Sequence, residues 1–61
     1  MQTQTLHDAI SNAVSKEKED IGMYKELLKL VPEDRPDMRE AIQGILNNEV
    51  EHMKILRGML G

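Results

Sequence analysis

VPEDRP, Val31–Pro36, is the stretch that divides this chain. Pro32 disfavours helical backbone at Val31 and has no N–H to give to a helix ladder. Asp34 has the side chain of an N-cap for a following helix, with Pro36 in its first turn and Asp37 near its amino end. Upstream, Thr5 is a cap candidate for a first helix, and Asp8 three residues later makes a weak capping box with it. The expectation is one helix over about 5–31, a turn over about 32–34 and a second helix over about 35–60. A connection that short gives an antiparallel hairpin. Residues 1–61 then form one all-α domain, with no internal repeat beyond the two helices and no low-complexity tract.

On either side of the break the apolar residues recur in threes and fours, as helix packing requires. The first helix carries Leu6, Ile10, Ala13, Ile21, Tyr24, Leu28 and Val31 along one seam. The second carries Met38, Ile42, Ile45, Leu56 and Met59. Further stripes flank both: Val14, Leu27 and Leu30, then Leu46, Val50, Met53 and Leu60. Faces this wide exceed what a lone hairpin covers. Two hairpins pairing into a four-helix bundle would cover them, so a homodimer is expected, with room for a higher homo-oligomer. Gly22 and Gly44 cost helix stability and are candidates for a close approach of another backbone.

Size and composition point the same way. A chain of 61 residues buries only about 60% of its unfolded surface and needs a staple. With no cysteine, disulfides and thiolate metal sites are excluded. A partner chain, or a metal held by oxygen and nitrogen donors, remains. The net charge of −3 argues against a nucleic-acid or anionic-membrane binder. No apolar run approaches the roughly 18 residues of a membrane span. The start, MQTQTLHDAI, lacks a signal-peptide pattern, so the expected location is the cytoplasm.

Three seam positions are not apolar: Glu17, Glu49 and His52. One reading is that the helices rotate locally and release these side chains to solvent. The other is that they are buried and bound, since a buried charge needs a partner or a metal. Glu17 stands about 14 residues before the turn and Glu49 about 14 after it, so both sit roughly 21 Å from it. That level is near mid-helix. A two-fold axis perpendicular to the bundle there would gather four carboxylates and two imidazoles. Such donors suit paired Fe²⁺ or Mn²⁺.

The stretches EKEDIGMYKELLK (Glu17–Lys29) and ILNNEVEHMKIL (Ile45–Leu56) resemble the ferritin-like, rubrerythrin-type di-iron carboxylate proteins. The family pattern is a Glu with a Tyr seven residues on, then Glu-x-x-His in the next helix. Glu17, Tyr24, Glu49 and His52 match it one by one. The likeness covers most of the chain but only half of the family's four-helix domain, which makes this chain similar to a half-ferritin completed by dimerisation. The resemblance implies a centre of two iron ions per dimer, with manganese or zinc able to take the same ligands. It makes Glu49 a bridging ligand and Glu17 and His52 terminal ones, and these three become the catalytic residues. It implies reaction of Fe²⁺ with dioxygen or hydrogen peroxide, whether as ferroxidase, peroxidase or iron handling.

Asp20, one turn after Glu17, departs from the family pattern. In the two-fold arrangement it lies level with His52 of the other copy, where a carboxylate would fix the imidazole tautomer. Otherwise it is a solvated flank residue. Tyr24 is either a hydrogen-bond donor to a ligand carboxylate or a core residue. His7 lies off the seam. A competing reading is a metal-free hairpin dimer serving as an interaction or RNA-binding module, supported by the lysines Lys16, Lys18, Lys25 and Lys29. A structural metal site without turnover is a third.

Overall fold

A computed structural model describes residues 4–61. Two helices account for nearly all of it: α1 over Leu6–Leu30 and α2 over Pro36–Leu60. They run antiparallel as a hairpin, and among the described residues there is no strand.

The ends of the helices follow from local chemistry. The Thr5 hydroxyl accepts a hydrogen bond from the Asp8 amide at 3.1 Å, so Thr5 caps α1 rather than belonging to it. Val31 leaves helical geometry with ψ 125°, as a residue before proline does. The expectation that Asp34 caps α2 is corrected. The cap position is Arg35, which makes no side-chain capping bond. The physical reason is Pro36: its fixed φ suits the first helical position, which places the boundary one residue later than Asp34. Arg35 instead turns to Asp37, with Nε and Nη2 donating to the two carboxylate oxygens at 3.1 and 3.0 Å. Arg39 donates to the Val31 carbonyl at 3.4 Å and ties α2 back to the end of α1.

The helices touch along a narrow line. Val14, Ile21 and Leu46 are the buried apolar residues among those described. Two of these, Val14 and Leu46, belong to the flanking stripes rather than to the seams. Conversely, the seam residues Leu6, Met38, Ile45 and Met59 are 78, 42, 42 and 62% exposed. The apolar periodicity is real: Ile10, Ala13, Ile21, Tyr24, Leu28, Val31, Ile42 and Leu56 of the seams are buried or half-buried in the hairpin, while Leu6, Met38, Ile45 and Met59 turn away from the contact.

The resulting body is flat, 52 × 23 × 11 Å along its principal axes, so it is one helix deep. Its accessible surface is 4884 Å², against about 4,000 Å² for a compact monomer of this mass. Several large apolar side chains contribute to it. Leu6, Met23, Leu27, Leu30, Met38, Ile45, Ile55 and Met59 are exposed, and helical spacing sets Leu6 and Leu27 of α1, and Met38, Ile45 and Met59 of α2, in one row on each helix. The opposite face carries Lys18, Lys25, Glu26 and Lys29 on α1 and Gln43, Asn47 and Lys54 on α2, all exposed. No helix of the described residues is long and apolar enough to cross a membrane.

Candidate metal centre

Glu17, Glu49 and His52 come together. Each offers one ligand atom, and these atoms lie within 4.8 Å of one another. Glu17 reaches the cluster from α1. Glu49 and His52 reach it from α2, where a spacing of three places them on adjacent turns of one face. The hairpin does the rest, because its turn sets Glu17 and Glu49 at the same level. The cluster sits on the open apolar face, not on the polar one. Glu17, His52, Ile55 and Leu56 line a shallow cavity of about 290 Å³ beside it.

The two glutamates are half-buried and His52 is exposed. One oxygen of Glu17, Oε2, is enclosed and has no hydrogen-bond partner among the described residues. An enclosed carboxylate oxygen without a donor is costly, and native structures avoid it unless a water or ion serves it. The electrostatics express the same conflict. The Glu17 carboxyl is pushed above its ordinary value of 4.5, first by a hydrogen bond with Glu49, which requires a proton on one of the two. Desolvation adds to this, then repulsion from Glu49 and Asp20, while His52 acts in the opposite direction. Two carboxyls crowded in this way either share a proton or need a cation.

Asp20 is half-buried one turn from Glu17. It does not join the three-residue cluster, but its charge is felt at Glu17. Tyr24 is half-buried two turns from Glu17. Among the described residues its hydroxyl makes no hydrogen bond to either glutamate, which fits a separation of roughly 10 Å along the helix. His7 is exposed beside Asp8, with Nδ1 4.0 Å from the carboxylate. Ten residues separate it from Glu17, roughly 15 Å along α1, so it takes no part in the cluster.

The fit to a metal ion rests on the donor set and the orphaned oxygen. Two carboxylates and an imidazole are borderline-hard donors suited to Fe²⁺, Mn²⁺ or Zn²⁺. Three protein ligands on one hairpin leave an incomplete sphere, open towards the uncovered face. No protein-family model, curated protein or solved structure matches the chain. The functional reading therefore rests on the cluster and the face that carries it.

Proposed function

We propose that two copies of this chain close over their apolar faces and that the joined clusters bind a pair of iron ions, in the manner of the ferritin-like di-iron carboxylate proteins. The observation that carries this reading is Glu17 Oε2, enclosed without a partner among the described residues, inside a three-donor cluster. A surface acidic cluster would sit on the polar side with its oxygens in water. This one sits where a second copy would dry it.

In that arrangement Glu17, Glu49 and His52 of each copy hold the ions, and the partner supplies the same three. Four carboxylates offset the charge of two divalent ions. Iron held by these residues would supply electrons to dioxygen or hydrogen peroxide, the chemistry of a ferroxidase, peroxidase or iron-handling protein. The chain's own part is to fix and desolvate the donors. Loading is coupled to protonation at Glu17, whose carboxyl is raised above its ordinary value and must be ionised to bind an ion. The apolar side chains around the cluster exclude water from it, while the cavity lined by Glu17, His52, Ile55 and Leu56 leaves space beside the donors.

Anaerobic titration with Fe²⁺, followed by exposure to air, tests the proposal. Saturation at two ions per dimer, and near-ultraviolet ferric absorption after air, are the expected results. A folded dimer that takes up no iron would leave the metal-free interaction module as the better reading.

A further inference from the structure

The charged side chains are sorted across the polar face. Of the eight Lys and Arg residues, Lys18, Lys25 and Lys29 share one side of α1, and Arg39, Lys54 and Arg57 share one side of α2, by helical spacing. Both sides border the line of contact between the helices. Lys18 and Lys25 stand one turn beyond the buried Val14 and Ile21, and Arg39 stands two turns before the buried Leu46. Only Lys16 and Arg35 lie elsewhere. The carboxylates are placed differently. Asp8, Glu19 and Glu26 of α1, and Glu40 and Glu51 of α2, lie roughly a quarter-turn further round, on the outer rims of this face. The rest lie at the turn or at and beside the metal cluster. A straight channel therefore runs between the helices with cations on both walls and carboxylates only outside them. From Arg39 to Arg57 it is roughly 27 Å long.

This sorting differs from that of a solvated face, where opposite signs alternate. Lys25 and Lys29, and Lys54 and Arg57, are like charges on adjacent turns, an arrangement that weakens a helix. Among the described residues Lys18, Lys25, Lys54 and Arg57 have no acidic partner. Lys29 reaches Glu26 on the rim at 3.1 Å, and Arg39 donates to the Val31 carbonyl. Gly22 lies between Lys18 and Lys25, and a Cβ added there would meet nothing within 4 Å, so the channel wall is lowest at that point. Near the turn, a cavity of about 550 Å³ opens beside it, lined by Pro36, Arg39, Glu40, Gln43, Gly44 and Asn47.

We propose that this channel docks an acidic helical segment of another protein, with its carboxylates against Lys18, Lys25, Lys54 and Arg57. A helix is about 10–12 Å across and nests between two helices whose axes stand about 8–10 Å apart. Glutamates along one side of it recur every three or four residues, the same repeat that builds the channel walls. A nucleic-acid duplex or an anionic lipid surface is broader than the channel and would press its phosphates onto the rim carboxylates. A single nucleic-acid strand is narrow enough, but such strands are held by stacking on aromatic side chains. The one aromatic residue, Tyr24, lies on the seam instead.

The channel faces away from Glu17, Glu49 and His52, so its test stands apart from iron binding. The probe is a fluorescein-labelled helical peptide of about 20 residues, long enough to fill the channel, with glutamates along one side. Its binding is followed by fluorescence anisotropy, beside a peptide with glutamine in place of every glutamate. The glutamate peptide should bind and the glutamine peptide should not. Lys18→Gln and Lys54→Gln should each weaken binding about 3–10-fold, while Lys16→Gln, the same loss of charge outside the channel, should change it less than about 2-fold. Circular dichroism of the three variants should match that of the unaltered chain, since all three side chains are exposed. Equal losses at Lys16, Lys18 and Lys54 overturn the proposal, because net charge alone would then account for binding. No binding of the glutamate peptide overturns it as well. Tighter binding of an RNA duplex or of phosphatidylglycerol vesicles than of the peptide overturns it in favour of a phosphate-bearing partner.

Discussion

The Glu17 and Glu49 side chains arrive from opposite helices and place ligand oxygens within 4.8 Å of each other and of a His52 nitrogen. That closeness raises the Glu17 pKa above 4.5 and gives the metal-free fold a pH dependence at this group. A carboxyl whose folded pKa is raised gives stability that is fully present below its unfolded pKa and is lost as pH rises through the folded value. Metal-free protein should therefore melt higher as pH falls from neutral towards 4.5. Asp37, held down by Arg35, has the opposite sign, and its loss begins only at still lower pH. Being an exposed pair, it contributes little. Thermal melts in chelator across this range check the prediction, and Glu17→Gln should flatten the slope. A melting temperature that falls steadily from neutral pH downward would show that the carboxyls do not repel each other.

Metal should reverse the penalty. An ion that binds only the folded state stabilises it by mass action, about 2.7 kcal/mol at a free concentration near 100 times Kd. The Fe²⁺ or Mn²⁺ form should melt well above the metal-free form at neutral pH. Glu49→Ala should remove most of that difference while leaving the metal-free protein as stable as before or more so, because it relieves the crowding at Glu17. Differential scanning calorimetry with and without metal measures both. Identical melting of the two forms of the unaltered chain would count against the centre.

Assembly is separable from metal. Ile45 is 42% exposed on the open face, whereas Ser15 is exposed on the polar one. Ile45→Glu should shift sedimentation from dimer to monomer and lower helicity, because the hairpin alone buries so little. Ser15→Glu should sediment as the unaltered chain does. A stable, fully helical monomer in the unaltered protein would remove the shared centre.

Gly22 and Gly44 test the other side of the hairpin. A Cβ added at either would meet nothing within 4 Å, so no close approach within the hairpin accounts for them. Replacing an unhindered helical glycine by alanine stabilises by up to about 1 kcal/mol. Gly22→Ala and Gly44→Ala should each raise the midpoint of chemical denaturation accordingly. A loss of stability at either would reveal a second contact on the polar face.

Much of this was legible in the sequence, for identifiable reasons. Pro32 and Pro36 bracket the turn, and proline acts through its own covalent geometry, so the break reads directly. The gathering of Glu17, Glu49 and His52 was legible because equal distances from one turn place residues at one level. The N-cap was not, since Asp34 has the right side chain but Pro36 sets the boundary. Nor was the line of contact. Periodicity locates an apolar stripe without saying which part of it faces the same hairpin, so Val14 and Leu46 read as flanking and Ile45 and Met59 as seam. The orphaned Glu17 oxygen has no sequence signal, because it depends on how the two helices enclose one rotamer.

The reactivity of the centre gives the last prediction, and it ranks three residues. His52 supplies the nitrogen donor of the cluster, so His52→Ala should suppress oxidation of bound Fe²⁺ in air strongly. His7 is exposed beside Asp8 and roughly 15 Å along α1 from Glu17, so His7→Ala should leave the rate nearly unchanged. Asp20 is the intermediate case. It is half-buried, its charge acts on Glu17, and a copy related by the proposed two-fold would bring its His52 level with it. A carboxylate that orients a liganding imidazole typically contributes 10–100-fold in affinity or rate, so Asp20→Ala should lose about that much. Asp20→Glu should recover part of it, which a purely steric role would not predict. Stopped-flow absorbance after anaerobic loading gives the rates, and calorimetric titration with Mn²⁺ gives the affinities without turnover. Equal losses at His7 and His52, or saturation at one ion per dimer, would rule out the centre as assigned.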